Sequence, residues 1–360
     1  MTRESPGIVR RQVADDQTFM PSHSPEVTNQ SAGEAGVVPK SKASGCILCG
    51  AGNVEVVETF PFRDLRRLWF DTCEVDITTC LEEPYDDPAV YLYRCGTCEL
   101  EFYPSTLCGN TRLYQALGGF SYYYTGDRWE FDRAAEDLRG RPSVLEIGCG
   151  TGLFLEGLVR EDPGRSAVGL ERNPDVIGIA REKGLRVEAC SVEEFAPDHA
   201  EAFEVVCAFQ VLEHVPTPDA FLKAAFRCLK PAGLCLLSVP NRDGFTRHAV
   251  NDFGNMPPHH ITRWSGQVMR NIAGRYQATV ERILEEPIAD YHKAWFGDTL
   301  MLRAVSAVMR LRWNRVEVGT RYRVMLALCR RLQRIIPDRL WRYNRYPGHT
   351  LYVALRKCAA

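Results

Sequence analysis

From about residue 142 onward, short apolar runs alternate with amphipathic stretches. The apolar runs are four to seven residues long and are separated by turn-forming residues, which is the pattern of buried strands, whereas the amphipathic stretches have the period of helices. The predicted strands are 144–147, 167–170, 185–189, 203–209, 234–239, 279–284 and 350–355, and the predicted helices are 152–160, 174–183, 218–229 and 265–273. This alternation predicts an α/β fold with a Rossmann-like, mostly parallel sheet covered on both faces.

Other regions flank or interrupt this pattern. They are a tail rich in Ser, Pro, Glu, Gly and Thr (1–44), a segment with two Cys-x-x-Cys pairs (45–108), an aromatic helical lead-in (109–141) and an Arg-rich insertion (287–346), so that the α/β domain comprises 142–286 and 347–358. We expect the tail to be disordered because its composition supplies little apolar surface to bury. The lead-in carries Phe120, Tyr122, Tyr123, Tyr124 and Trp129, whose faces suit either a cationic ligand or helix packing.

The insertion carries twelve arginines and few acids. Its apolar residues recur at spacings of three and four, which predicts amphipathic helices: Val305, Val308, Met309, Val324, Leu328, Leu332 and Ile335. One interpretation is that these apolar positions pack on the sheet and the arginines face solvent. The alternatives are a cover over the acceptor site, or a face for an anionic substrate or a membrane surface, that is, a peripheral membrane contact.

The segment 146–152, Glu-Ile-Gly-Cys-Gly-Thr-Gly, follows the first predicted strand and opens a helix, as nucleotide-binding loops do. A P-loop would need Gly-Lys-Ser/Thr, which is absent, and a dinucleotide fingerprint would need a third glycine where Leu153 stands. The spacing is G-x-G-x-G with a leading acid. A carboxylate at Glu146 would repel a pyrophosphate and attract an ammonium or sulfonium group.

A second acid, Glu171, ends the next predicted strand about twenty residues after the glycines. A carboxylate at this point can accept hydrogen bonds from both hydroxyls of a ribose. The two acids and the glycine spacing together predict a nucleoside-type cofactor with a positively charged end.

The stretches 203–216 (FEVVCAFQVLEHVP) and 229–241 (LKPAGLCLLSVPN), with the glycine loop, resemble class I S-adenosylmethionine-dependent methyltransferases, especially small-molecule enzymes such as ubiquinone-pathway O-methylases. The resemblance covers about 140–285 and the last strand, and it implies an enzyme whose last strand is antiparallel. It also implies the cofactor-binding set Glu146, Gly148, Cys149, Gly150, Gly152, Glu171, Arg172, Ser191, Val192 and Gln210. Ser191 stands where the family often has an acid that contacts the adenine.

Two Cys-x-x-Cys pairs, Cys46 with Cys49 and Cys95 with Cys98, have the spacing of zinc knuckles. Four thiolates make a closed tetrahedral site, so we expect a structural zinc ion with no open position for catalysis. The second pair resembles the zinc-ribbon segments that precede the methyltransferase domain in some bacterial biosynthetic enzymes. Free or disulfide-bonded cysteines are the alternative.

Histidine is the natural general base near neutral pH, and three histidines are candidates for removing a proton from the methyl acceptor. His214 follows the predicted strand 203–209, at the edge where parallel sheets bind ligands, and His259 and His260 lie in a Pro-Pro-His-His segment. A structural role is the alternative for each. Adjacent side chains usually point apart, so metal binding by His259 and His260 is not expected.

The net charge of −2 and the absence of a concentrated lysine face disfavour nucleic acid as a partner. No secretory signal is evident, and free thiols among the fourteen cysteines suit a reducing compartment, so a cytoplasmic location is expected. The leading hypothesis is methyl transfer to a small-molecule substrate in a biosynthetic pathway. The alternatives are an RNA base methyltransferase with a zinc knuckle and a catalytically silent, cofactor-binding partner subunit.

Overall fold

The computed structural model describes residues 43–118, 128–337, 340–341 and 343–359. The predicted tail up to residue 42, together with Phe120 and the tyrosines at 122–124, lies outside these ranges. Within them, no helix has both the length and the apolar character needed to cross a bilayer.

The N-terminal part consists of short strands and helices. They are β1 (Val54–Pro61), α1 (Phe62–Cys73), β2 (Ala89–Cys95), β3 (Glu101–Phe102), α2 (Thr111–Gly118) and α3 (Trp129–Asp137). Helix α1 interrupts the segment between the two cysteine pairs and buries Leu65 and Trp69 completely. Its apolar face packs in a core that also contains Met256 and Val316 from distant parts of the chain.

The predicted α/β alternation follows. Its elements are β4 (Ser143–Ile147), α4 (Leu153–Glu161), β5 (Ser166–Leu170), α5 (Pro174–Glu182), β6 (Val187–Glu188), α6 (Val192–Phe195), β7 (Phe203–Phe209), α7 (Pro218–Cys228), β8 (Leu229–Pro240), β9 (Thr262–Arg263), α8 (Gly266–Ala273), β10 (Ala278–Glu285) and β11 (Thr350–Lys357). Local capping supports several helix starts: the Asn173 side chain caps α5, and Ser265 caps α8.

Seven strands form one sheet in the order β10-β11-β8-β7-β4-β5-β6. The five strands β6, β5, β4, β7 and β8 run parallel to one another, and β11 is antiparallel to both β8 and β10. The predicted Rossmann-like sheet with an antiparallel last strand is confirmed. The carboxyl ends of β4, β5 and β7 meet at one edge, which is where such sheets bind ligands.

A second sheet joins the cysteine-containing segment to the α/β domain. Its order is β1-β2-β3-β9, and β9 comes from the stretch between β8 and β10. The Trp69 indole N–H donates to the Pro257 carbonyl over 2.8 Å, and the Arg263 guanidinium contacts the Glu101 carboxylate at 2.8 Å. The cysteine segment therefore holds the chain around 257–263 in place.

The Arg-rich insertion forms two helices, α9 (Lys293–Val308) and α10 (Thr320–Gln333), which pack on each other. In α10 the buried positions are Tyr322, Leu326 and Cys329, whereas Val324 is 64% exposed and Leu328 is 45% exposed. The predicted helical period is right, but the predicted buried face is wrong. A two-residue offset corresponds to about 200° around a helix, so the opposite side, with its bulky Tyr322, packs inward. A contact of the exposed face with an anionic surface stays a prediction.

Candidate active site

The glycine loop between β4 and α4 is held in a shape that few other residues adopt. Gly148, Gly150 and Gly152 have φ angles of 72°, 54° and 75°, in the left-handed region. A Cβ on Gly148 would come within 2.5 Å of the Val211 side chain, and one on Gly152 within 2.4 Å of Leu185. The loop therefore presents backbone, not side chains, at the carboxyl edge of the sheet.

Cys149 lies inside this loop but faces away from the edge. Its side chain is buried, and a Cβ on Gly169 of β5 would lie 2.5 Å from its sulfur. Burial also raises the pKa of the Cys149 thiol, and the nearby Glu146 and Glu171 add to this shift. Cys149 can thus contact a cofactor only through its backbone.

Glu146, at the end of β4, is 4% exposed. Among the described residues, no hydrogen-bond partner reaches its Oε2. Burial raises the pKa of Glu146 well above its usual value, while the charge of Arg128 partly offsets this. A buried carboxylate oxygen without a partner is costly unless a ligand supplies a donor or a positive charge. This observation fits the ammonium group of S-adenosylmethionine.

Glu171, just after β5, contacts the backbone of the glycine loop through its carboxylate. Its Oε2 accepts a hydrogen bond from the Gly150 backbone N–H at 2.9 Å. Its Oε1 accepts hydrogen bonds from the backbone N–H groups of Arg172 and Asn173, at 2.7 Å and 2.9 Å. The backbone thus orients this carboxylate at the mouth of the loop, at the position expected for a ribose contact.

The residues predicted to lie near the adenine have side chains that mainly stabilise the fold. Ser191 and Glu194 form a capping box at the start of α6, in which the Ser191 hydroxyl accepts from the Glu194 N–H. Val192 is 1% exposed and belongs to the main core. The Arg172 side chain is exposed. A purine at this position would therefore meet mainly backbone groups and the rim of the loop.

Gln210 follows β7 with a φ of 55°, and its backbone N–H donates to the Ser238 carbonyl at 2.9 Å. Its side-chain amide lies 3.4 Å from the carboxylate of Glu130, which is 4% exposed. Glu130 comes from α3, so the lead-in helix contributes an acid next to the sheet edge. Sequence reasoning missed Glu130, because no local motif surrounds it.

The three candidate histidines come together. One ring nitrogen from each of His214, His259 and His260 lies within 4.8 Å of the others. The rings of His259 and His260 stack with centroids 4.2 Å apart, which corrects the expectation that these neighbours point apart. The kinked, hydrogen-bonded stretch 254–260 turns both side chains to the same side. Tyr114 of α2 contacts His214 and His259 with ring centroids at 5.8 Å and 6.4 Å.

Burial keeps these histidines neutral. It lowers the pKa of His214 to about 4, and it lowers the pKa values of His259 and His260 well below the usual value. The His214 Nδ1–H donates to the His259 carbonyl at 2.7 Å, so this ring carries its lone pair on Nε2. A neutral imidazole with its lone pair on Nε2 can accept a proton or bind a cation.

Glu213, beside His214, is a site residue that sequence reasoning did not single out. It is 1% exposed, and burial raises its pKa to about 8. Its Oε1 lies 3.8 Å from His214 Nε2 and 3.9 Å from His260 Nε2. The sequence feature that could have indicated Glu213 is its position next to His214, directly after β7.

The four knuckle cysteines form a compact cluster in the N-terminal segment. The Sγ atoms of Cys46 and Cys98 are 3.6 Å apart, and those of Cys49 and Cys95 are 3.5 Å apart. Zinc–sulfur bonds of about 2.3 Å in a tetrahedron place sulfurs roughly 3.8 Å apart, so the donors fit zinc. The hydrogen bond between Cys46 and Cys98 lowers the pKa of Cys46 and raises that of Cys98, as expected for two thiols in direct contact.

Comparisons with known proteins agree with this geometry. The family model for a methyltransferase domain matches residues 128–283. The ubiquinone biosynthesis O-methyltransferase of Klebsiella pneumoniae is 36% identical over 107 residues, which cover 28% of this chain and 43% of that enzyme. The enzyme of the same name from Xanthomonas oryzae pv. oryzae is 37% identical over 123 residues, which cover 32% of this chain and 49% of that enzyme. The chain thus spans half the length or less of these relatives.

Among solved structures, a SAM-dependent methyltransferase from Archaeoglobus fulgidus has a TM-score of 0.42 at 18% identity, covering 69% of this chain and 95% of that one. The family match identifies residues 128–283 as a class I S-adenosylmethionine-dependent methyltransferase domain, and β11, which lies beyond the matched residues, completes its seven-stranded sheet.

Proposed function

We propose that this protein transfers the methyl group of S-adenosylmethionine to a small-molecule acceptor, at an oxygen or a carbon atom, in a biosynthetic pathway. One observation carries the proposal: two carboxylates flank a glycine loop, and one of them, Glu146, is buried with an oxygen that no described residue satisfies. The ammonium group of the cofactor supplies the partner that Glu146 lacks, and the ribose hydroxyls can donate to the remaining lone pairs of Glu171.

In this proposal each residue has a separate task. Glu146 attracts the ammonium group of the methionine end, Glu171 accepts hydrogen bonds from the ribose hydroxyls, and the backbone of Gly148–Gly152 lets the cofactor approach closely. When bound, the cofactor supplies an electrophilic methyl group on a sulfonium. The protein then has to position the acceptor in line with it and exclude competing water.

The acceptor side is proposed to be the histidine cluster. Val211 lies against Gly148, so the segment Gln210–His214 borders the cofactor loop directly. When no cation occupies this cluster, neutral His214 can accept a proton from a hydroxyl or a carbon acid on the acceptor. The relatives' name, O-methyltransferase in ubiquinone biosynthesis, supports a hydroxyl on a small molecule as the first acceptor class to test.

The four cysteines are proposed to hold a structural zinc ion. The sulfur distances and the backbone N–H groups of Leu48 and Thr97, at 3.4 Å and 3.3 Å from Cys46 and Cys95 sulfurs, support a zinc knuckle. Four thiolates leave no open position, so this ion stabilises the fold and does no chemistry.

The test is methyl transfer from methyl-labelled S-adenosylmethionine to a panel of phenols, catechols and bacterial metabolite extracts. We expect labelled product and equimolar S-adenosylhomocysteine with the wild type and with Gly178→Arg. Gly178 lies in α5, where added side-chain atoms meet open space. Gly150→Arg should give no product, because a bulky side chain would stand in the cofactor loop at a φ of 54°. Product formation by Gly150→Arg at the wild-type rate would contradict the proposed site.

A further inference from the structure

We propose that His214, His259, His260 and Glu213 form a binding site for a divalent first-row transition-metal ion, separate from the cysteine cluster. The binding site itself stands on the geometry of these four side chains. Only the role of the ion in catalysis rests on the proposed function.

The first argument is the orientation of the imidazole rings. His214 Nδ1 donates to the His259 carbonyl at 2.7 Å, and His259 Nδ1 donates to the Gly254 carbonyl at 2.8 Å. His260 Nδ1 lies 2.9 Å from Asn255 Oδ1. In all three rings Nδ1 therefore acts as the donor, and the lone pair is on Nε2. Histidines that bind metals are commonly oriented in this way, with the second ring nitrogen donating to a carbonyl.

The orientation of Asn255 is itself determined. Its Nδ2 donates to Asp252 Oδ2 at 2.7 Å, so its Oδ1 must face His260. The support of His260 thus extends to Asp252, a partly buried acid behind the amide. Such outer hydrogen bonds fix the tautomer of a ligand and raise its affinity for the metal.

The second argument is Glu213, which is independent of the rings' own hydrogen bonds. Within the described part of the chain, neither of its carboxylate oxygens has a hydrogen-bond partner, although the side chain is 1% exposed. Its Oε1 faces His214 Nε2 at 3.8 Å and His260 Nε2 at 3.9 Å. A buried carboxylate in this position is costly by itself, and a bound cation removes that cost.

The distances suit an ion after a small contraction. The ring nitrogens lie within 4.8 Å of one another, whereas ligands at about 2.1 Å from a tetrahedral ion are roughly 3.4 Å apart. Side-chain shifts of about 1 Å bring the donors to that spacing. Three imidazoles and one carboxylate favour Zn²⁺, Mn²⁺, Fe²⁺ or Co²⁺, since Mg²⁺ and Ca²⁺ prefer all-oxygen ligands.

The location gives the ion a function in methyl transfer. Val211, between Gln210 and the Glu213–His214 pair, touches the cofactor loop at Gly148. An ion held by these four side chains would take the acceptor's hydroxyl oxygen as a fifth ligand and lower its pKa, so that the proton leaves to water before the oxygen attacks the methyl group. The site would thus select acceptors with an ionisable hydroxyl.

The test measures metal content without reference to activity. Full-length protein is dialysed against Zn²⁺, freed of loosely bound metal and assayed by mass spectrometry of the elements. We expect two ions per chain in the wild type and in His199→Gln, whose ring stacks on Phe195 elsewhere in the fold. Glu213→Gln with His260→Gln should retain only one ion per chain, the one held by the cysteines. A wild type that binds a single zinc ion per chain, with the same zinc content in Glu213→Gln with His260→Gln, would overturn the proposal.

A second measurement tests the proposal even if one of these variants does not fold. Mn²⁺ is titrated into wild type that holds one equivalent of zinc, which the thiolates of the cysteine site take up, and binding is followed by the paramagnetic effect of Mn²⁺ on water relaxation. We expect binding of one Mn²⁺ that competes with zinc, weakened about 10-fold or more by Asn255→Ala, which removes only the support of His260. No saturable Mn²⁺ binding and no zinc beyond the cysteine site would together refute the inference. S-adenosylmethionine binding, measured on the same samples, reports separately on the proposed function.

Discussion

The cofactor side and the acceptor side of this site lie at the same edge of one sheet, but they are built differently. The cofactor side consists mainly of backbone from one loop and two carboxylates, which come from residues 146–171. The acceptor side collects Tyr114 from α2, Glu213 and His214 from after β7, and the stretch 254–260. The first is local in the sequence, whereas the second depends on tertiary contacts.

The difference has a physical consequence for how each side can be damaged. The acceptor stretch is held by the cysteine-containing segment, through the pairing of β3 with β9 and the hydrogen bond from Trp69 to Pro257. The cofactor loop is held by its own strand and by Leu170, whose carbonyl accepts from the Gly148 N–H at 2.8 Å. Substitutions in the cysteine-containing segment should therefore impair the acceptor side before they impair cofactor binding.

The largest expected effect follows from removal of the knuckle zinc. Cys46→Ser with Cys49→Ser should lower methyl transfer about 100-fold while S-adenosylmethionine affinity stays within about threefold, because only the acceptor stretch loses its support. Steady-state kinetics and calorimetric titration measure the two quantities. Cys358→Ser, at an exposed position, is the matched control. An equal loss of methyl transfer and of S-adenosylmethionine affinity would show that the cysteine segment supports the cofactor side as much as the acceptor side.

Gly148→Ala, by contrast, should impair the cofactor side and the acceptor side together. The added methyl group would stand at a φ of 72° and within 2.5 Å of Val211, the residue that joins the loop to the acceptor segment. We expect a loss of about 2 kcal/mol in cofactor binding, roughly 30-fold, together with a lower turnover rate. Gly178→Ala should change neither value, and an unaffected Gly148→Ala would place the cofactor elsewhere.

Glu171→Gln should affect only the cofactor side. The amide retains its shape but loses the negative charge that strengthens hydrogen bonds from ribose hydroxyls, so affinity should fall about 10-fold. Metal content at the histidine cluster should not change. Glu182→Gln, an exposed acid in α5, serves as the control in the same titration. If Glu171→Gln bound S-adenosylmethionine with wild-type affinity, the proposed contact of Glu171 with the ribose would be wrong.

The smallest expected effect lies away from both sides, at Asp219 of α7. Burial alone would raise the pKa of Asp219, but hydrogen bonds from Arg275, Lys223 and Tyr276 outweigh it and lower the pKa to about 2. A depressed folded-state pKa adds stability that is present above the unfolded value of about 3.9 and is lost as the pH falls towards 2. Asp219→Asn should lower the free energy of unfolding by at most about 1 kcal/mol at pH 7 and by less at pH 3, in urea titrations. Cofactor affinity should not change.

Elements with strong local patterns were predictable from the sequence. Strand β7 runs over Phe203–Phe209, as predicted, because this run is rich in β-branched and aromatic residues and the polar Gln210 follows it. The loop with Glu146 and the acid Glu171 also lie where their spacing indicated. The cysteine pairs do come together in space, although their occupation by zinc stays a prediction.

The remaining features depend on contacts between distant residues. The pairing of β3 with β9 joins Phe102 to Thr262 through two short strands, which have no periodic signal of their own. The buried face of α10 is decided by Tyr322 packing against Trp313, and not by the number of apolar residues on each side. Glu213 became a site residue only when the fold brought His260 next to it.

The most direct test of the central claim is calorimetric titration of the full chain with S-adenosylmethionine and with S-adenosylhomocysteine. The geometry of Glu146, Glu171 and the glycine loop predicts one cofactor per chain, with binding abolished in Gly150→Arg and preserved in Gly178→Arg. A folded wild-type protein that binds neither compound would contradict the account.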